Sequence, residues 1–139
     1  MRKVVKLASV ALAMSSIACG SNPSLYPVVG RVTYKGAPAT GATVFFYRQG
    51  SDPMNEHTIM GIVQEDSTFE LVCGSLGKGA PVGEYDVAIE WKHVFGQSKG
   101  QPQRGADKLK GRYADPKHPL LHATVEAQAT NLPPFELID

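Results

Sequence analysis

The chain has 139 residues, 42% of them hydrophobic, and a formal charge of +1 at neutral pH. That length fits one globular domain, and the near-neutral balance gives no support to a nucleic-acid binder. No apolar run reaches the roughly 18 residues that a membrane-spanning helix needs.

The N-terminus reads as a targeting segment. Arg2, Lys3 and Lys6 form a positive region, Leu7 to Ala13 a short apolar one, and Ser15-Ser16-Ile17-Ala18-Cys19 closes it with small residues. Cys19 directly after Ile17-Ala18 resembles the lipobox of bacterial lipoproteins, although Ser16 stands where Leu is usual. The expectation is a lipoprotein signal peptide over 1–18 and a lipid anchor at Cys19. The protein would then be exported to the cell envelope, on the outer membrane or a periplasmic face, or secreted if Cys19 is not lipidated. Loss of Arg2, Lys3 and Lys6 leaves eleven basic residues against thirteen acidic ones, so the surplus of positive charge belongs to the signal. If Cys19 carries lipid, Cys73 is alone and the fold cannot depend on a disulfide.

Residues 19–25 form a short polar tether, and 26–139 the folded domain. Tyr26 to Tyr34 reads as the first strand, with Tyr26, Val28, Val32 and Tyr34 on one face. Lys35-Gly36-Ala37-Pro38 makes a turn. Ala42 to Arg48 reads as a second strand, apolar on both faces (Val44 and Phe46 against Phe45 and Tyr47) and so central. His57 to Gln64 and Thr68 to Cys73 read as strands of one hairpin, joined by Glu65-Asp66-Ser67. Cys73 continues the alternation of Phe69 and Leu71, which makes it a small core residue. Gly83 to Trp91 alternates most clearly. Tyr85, Val87, Ile89 and Trp91 share a buried face, and Glu84, Asp86, Ala88 and Glu90 share a wet one.

From Lys92 to Pro119 the alternation stops. The stretch holds Lys92, Lys99, Arg104, Lys108, Lys110, Arg112 and Lys117 against Asp107 and Asp115. It reads as one long loop, with one helical turn over Asp107 to Tyr113 in which Asp107 is a cap or a first-turn acid. Long loops in compact domains are functional or disordered more often than not. Leu120 to Gln128 resumes alternation, Asn131 to Pro134 turns the chain, and Phe135 to Ile138 is a last strand. Seven strands with short turns predict an all-β, seven-stranded antiparallel β-sandwich of Greek-key type.

Four pieces of sequence, in order, carry a family resemblance. Gly30-Arg31-Val32 through Gly36-Ala37-Pro38 to Gly41-Ala42-Thr43-Val44 resembles the opening of carboxypeptidase regulatory-like, transthyretin-like domains. Asp66-Ser67-Thr68-Phe69-Glu70-Leu71 is similar to their "D-G-x-F-x-L" hairpin, with Ser67 at the usual Gly. Gly83-Glu84-Tyr85-Asp86-Val87 resembles their "G-x-Y-x-V", and Tyr113-Ala114-Asp115-Pro116 resembles the tail of short bacterial lipoproteins built on the domain. The resemblance implies a transthyretin-like sandwich, with the Tyr85 ring buried and its hydroxyl on a backbone partner. It does not fix a function.

Sites for chemistry are sparse. His57, His93, His118 and His122 show no paired ligand spacing, so solvated histidines are the plain reading. His118, His122 and Asp115 are the nearest approach to a metal set, and none is assigned. The enzymes that resemble such sandwiches have signatures this chain lacks. One is the C-terminal Tyr-Arg-Gly-Ser of a purine-breakdown hydrolase, and the other is the His-x-His pair of ring-cleaving dioxygenases. An enzyme and a cofactor are therefore not expected. The seven cations of 92–119 are the candidate ligand patch, for an acidic envelope polymer or protein. A solvated loop is the plainer reading of the same residues. The expected function is an envelope binding or structural module. A carbohydrate-binding or carrier module is the alternative, and a hydrolase or metal-dependent enzyme on the same scaffold the second. An enzyme should bring polar side chains together in a pocket, and a sugar binder should expose aromatic rings.

Overall fold

The computed structural model describes residues 22–52, 54 and 56–139. The segment expected to be a signal peptide, 1–18, and Cys19 lie outside the described residues. The chain is all-β, and two sheets pack over a common core. The first is centred on β1 (Val28–Tyr34), which pairs antiparallel with β2 (Ala37–Pro38) and with a later strand, β5 (Thr68–Glu70). The second begins with β3 (Thr43–Arg48) and β4 (Ile59–Ile62), and continues through β6 (Val72–Cys73) and β7 (Gly77–Lys78). β8 (Gly83–Glu90) lies beside β3 in this sheet.

β9 (Lys92–Ser98) and β10 (Gln101–Asp107) pair only with each other, as a two-stranded ribbon. β11 (Leu121–Val125) is the outer neighbour of β8, which gives the second sheet the order β11-β8-β3-β4-β6-β7. β12 (Thr130–Asn131) and β13 (Phe135–Leu137) return to β1.

The core follows from alternation. Val28, Val32, Phe69, Leu71 and Leu137 from the first side meet Val44, Phe46, Tyr85, Val87, Ile89 and Val125 from the second, all nearly inaccessible to solvent. Phe46 and Tyr85 tilt together at 5.5 Å, and Phe69 stacks on Phe135 at 6.3 Å. Tyr85 is fully buried and its hydroxyl donates to Pro81 O at 2.7 Å, the partner a buried phenol needs. Burial pushes its phenol up to about 12. Cys73 is a buried free thiol in the same cluster. Ser67 takes the left-handed φ of 73° that favours glycine. The Asp66 carboxylate supports it by accepting from Thr68 N and Oγ1 at 3.0 and 2.6 Å.

Several expectations are corrected. Among the described residues the seven expected strands resolve into thirteen strand segments, some only two residues long. Thr68 to Cys73 is not one arm of a hairpin. Thr68–Glu70 pairs with β1, and Val72–Cys73 crosses to pair with β4. The inward run Phe69, Leu71, Cys73 survives because the chain changes sheets without changing which side chains face the core. Two glycines make room for the crossing. A Cβ at Gly30 would fall 2.5 Å from the Phe69 ring, and one at Gly61 would fall 2.6 Å from Glu70 O.

β1 pairs parallel, not antiparallel, with β12 and β13, and Thr130–Asn131 is a strand where a turn was expected from Asn131. Ala88, expected on the wet face, is 1% exposed. Trp91 sits half-buried just past the end of β8. It meets Tyr34 edge-on at 5.7 Å and donates from Nε1 to Thr40 O at 2.9 Å. The expected long loop over 92–119 contains the ribbon.

The sandwich has two distinct ends. Tyr26 bridges to Ala80 just before β8 begins, and Tyr34 meets Trp91 just after β8 ends. The chain therefore arrives from its N-terminal tether at one end, and the ribbon departs from the other.

Candidate functional site

The ribbon is built on Asp107. Its Oδ1 accepts from Trp91 N at 3.0 Å and Leu109 N at 3.1 Å, and its Oδ2 accepts from Gly111 N at 3.0 Å. Lys108 N donates to Trp91 O at 2.7 Å, which closes the root. The expected capping role of Asp107 holds, although a series of turns follows it and no helix forms. Leu109 and Tyr113 drop into the core from these turns, at 6% and 7% exposure. Ile89 N donates to Tyr113 O at 2.8 Å, and Ile138 N donates to Tyr113 Oη at 3.2 Å. Sequence reading missed both anchors, and their four-residue spacing was the available signal.

The seven cations fall on different elements. Lys92 and Arg104 lie on the ribbon and Lys99 at its tip, while Lys108, Lys110, Arg112 and Lys117 follow in the turns. Some are engaged within the chain. Lys92 Nζ lies 3.2 Å from Glu90, and Lys108 Nζ sits 4.4 Å over the Trp91 ring. Arg112 Nη1 donates to Asp139 O at 2.9 Å, with its guanidinium 5.8 Å from the Tyr113 ring. The Asp139 carboxylate takes Lys35 Nζ and Tyr34 Oη, and these contacts hold it below the usual carboxylate range. Among the described residues, no ion pair is found for Lys99, Arg104, Lys110 or Lys117.

In β9–β10 Arg104 stands opposite Val94. Lys92 is two residues from Val94, so all three project from one ribbon face. That face leans over the outer side of the second sheet and encloses a cleft of about 350 Å³. Phe45, Met60 and Ile62 floor it, with Thr43, Glu90, Lys92, Val94 and Arg104 around them. Phe45 stacks on Tyr47 at 6.4 Å, with the ring planes 25° apart. Burial, then Glu90, raises the Tyr47 phenol. Val94 on the ribbon and Ile62 on the sheet are 66% and 52% exposed, so both sides of the cleft present apolar surface.

A second, smaller cleft of about 240 Å³ opens at the opposite end, where Arg48, Ser51, Glu56, His57 and Thr58 line it. Arg48 Nη2 donates to Val82 O, and Ser51 Oγ donates to Arg48 O at 2.8 Å. Two of its polar groups are thus committed to backbone oxygens.

The histidine set is split. His118 Nδ1 lies 2.8 Å from Asp115, while His122 Nδ1 lies 2.9 Å from Asp86, on β8. Among the described residues, no three His, Cys, Asp or Glu side chains gather as a metal site. Among the same residues, no helix is long and apolar enough to cross a membrane.

No protein-family model matches the chain, and no curated protein matches it either. One solved structure, a DUF3823 family protein from Parabacteroides merdae, aligns over 83% of this chain with 16% identity and a TM-score of 0.41. The match spans 46% of that protein's length.

Proposed function

We propose that this is an exported, non-catalytic binding module of the cell envelope, held by lipid on Cys19. It displays its basic ribbon to an acidic polymer or protein face. In this reading the domain is of the carboxypeptidase regulatory-like, transthyretin-like type that its sequence motifs resemble.

The observation that carries the reading is the ribbon itself. β9 and β10 pair with neither sheet, so they add nothing to the backbone ladders of the sandwich. They present Lys92, Lys99 and Arg104 at its surface. A positively charged projection on a domain whose core closes without it is what an electrostatic contact requires, and salt confines such a contact to short range, about 8 Å under physiological conditions.

The test is crosslinking of the tagged protein in its native envelope at low and high salt, with mass spectrometry of what is captured. A salt-sensitive partner mapped to residues 92–119 supports the reading. A salt-resistant partner mapped to the Tyr85 sheet, or capture of lipid alone, refutes it.

A further inference from the structure

We infer that the cleft between the ribbon and the outer face of the second sheet binds a uronic-acid saccharide, a sugar chain bearing carboxylates. This rests on the reading of the ribbon as a binding element and names its ligand class.

The floor sets the first constraint. β3, which carries Phe45 at the centre of the floor, is hydrogen-bonded to β8 on one side and to β4 on the other, so its backbone groups are paired. An extended peptide could not add itself as a strand at β3. Over that part of the floor recognition must come from side chains. Phe45, Met60 and Ile62 offer apolar contact, while Thr43, Glu90, Lys92 and Arg104 offer hydrogen bonds around it. A pyranose ring has the same division, with C–H faces for the apolar floor and hydroxyls at its rim. At about 350 Å³ the cleft falls within the usual range of small-ligand sites.

Charge sets the second constraint. Lys92 is matched by Glu90 at 3.2 Å, and these two largely cancel. The guanidinium of Arg104 remains as one net positive charge over the cleft. A guanidinium fork pairs two-to-two with a carboxylate. A monoanionic carboxylate matches that single charge, whereas a dianionic phosphate would meet Glu90 with a second charge uncompensated.

The test uses the processed, lipid-free full domain and trigalacturonate as the probe, followed by calorimetry. Three probes serve as comparisons: its fully methyl-esterified form, polyglutamate, and vesicles of anionic phospholipid. The expected result is binding of the acid and at least about tenfold weaker binding of the ester, the scale of one charge-assisted hydrogen bond. Arg104→Gln should weaken binding by a similar factor, and Phe45→Leu should weaken it severalfold while keeping the apolar floor. Lys78→Gln, on β7 and outside both the cleft and the 92–119 segment, should leave affinity within about twofold.

Two outcomes overturn the inference and leave the broader reading standing. In one, polyglutamate or vesicles bind as well as the acid, with no effect of Phe45→Leu. In the other, the sugar does not bind while the envelope crosslinks remain salt-sensitive. Loss of both the sugar binding and the crosslinks overturns both.

Discussion

Asp107 is the residue on which the ribbon's placement turns, and its replacement by alanine is the sharpest test of the architecture. One carboxylate accepts three backbone N–H groups, from Trp91, Leu109 and Gly111. The first two bonds are part-buried and the third is exposed. Hydrogen bonds to a charged group contribute roughly 1.5–3 kcal/mol when buried and less when water can replace them. Taking the low end for the two sheltered bonds, and little for the exposed one, Asp107→Ala should cost about 3 kcal/mol. For a domain of this size that is a drop of roughly 10 °C in Tm.

Asp107→Asn is the internal control. Its carbonyl can still accept from Trp91 N and Leu109 N, which share Oδ1, but its amide faces Gly111 N with a donor. It should lose only about 1 kcal/mol. The assay is urea denaturation followed by the fluorescence of Trp91, the chain's only tryptophan. Limited proteolysis runs in parallel. In the alanine variant, cleavage within 92–107 should precede global unfolding. A loss below about 1 kcal/mol in Asp107→Ala, with the ribbon as protease-resistant as before, would refute the account of the root.

Three further outcomes follow from the packing and the N-terminal motif. Gly61→Ala should destabilise by about 2 kcal/mol or more in the same urea assay, because the new methyl would fall 2.6 Å from Glu70 O at the point where the chain changes sheets. Tyr85 should make stability fall at high pH. Its folded phenol, near 12, lies above the ordinary 10.0, so the stabilisation is complete below pH 10 and is lost as pH rises from 10 to 12. Tyr85→Phe should flatten that limb of the stability–pH curve, while costing about 1 kcal/mol at neutral pH for the orphaned Pro81 O. The intact mass of the native protein should show an N-terminal Cys19 carrying acyl chains, and an unmodified Cys19 would remove the anchor from the proposed function.

What could be read from sequence depended on whether a strand has one dry face. β8 was legible because Tyr85, Val87 and Ile89 all enter the core while Glu84 and Asp86 stay out. β3 was legible as central because Phe45 and Tyr47 are sheltered on its second face. The ribbon was illegible because Lys92, His93 and Val94 are all exposed, so burial imposes no alternation on it. Its register also shifts between Pro102 and Gln103 and again between Arg104 and Asp107, which breaks what period remained.

The switch of sheets at Leu71 was hidden for the opposite reason. Phe69, Leu71 and Cys73 keep strict alternation through it, so side-chain pattern alone cannot reveal that the backbone changes partners. In the site, the cations were visible individually. Their division was not, because it depends on Glu90, Trp91 and Asp139 reaching three of them.

The separation of the two ends of the sandwich turns the domain into a spacer. From Tyr26 to Tyr34 is eight residue steps of extended chain, about 26 Å at roughly 3.3 Å per residue. That is some three electrostatic screening lengths at physiological salt. A bilayer held at the Tyr26 end could therefore neither neutralise nor attract the charges at the ribbon's root. Under the proposed anchoring at Cys19, the ribbon's root would keep this distance along the body from the point where the chain enters it, whatever the length of the segment before Tyr26.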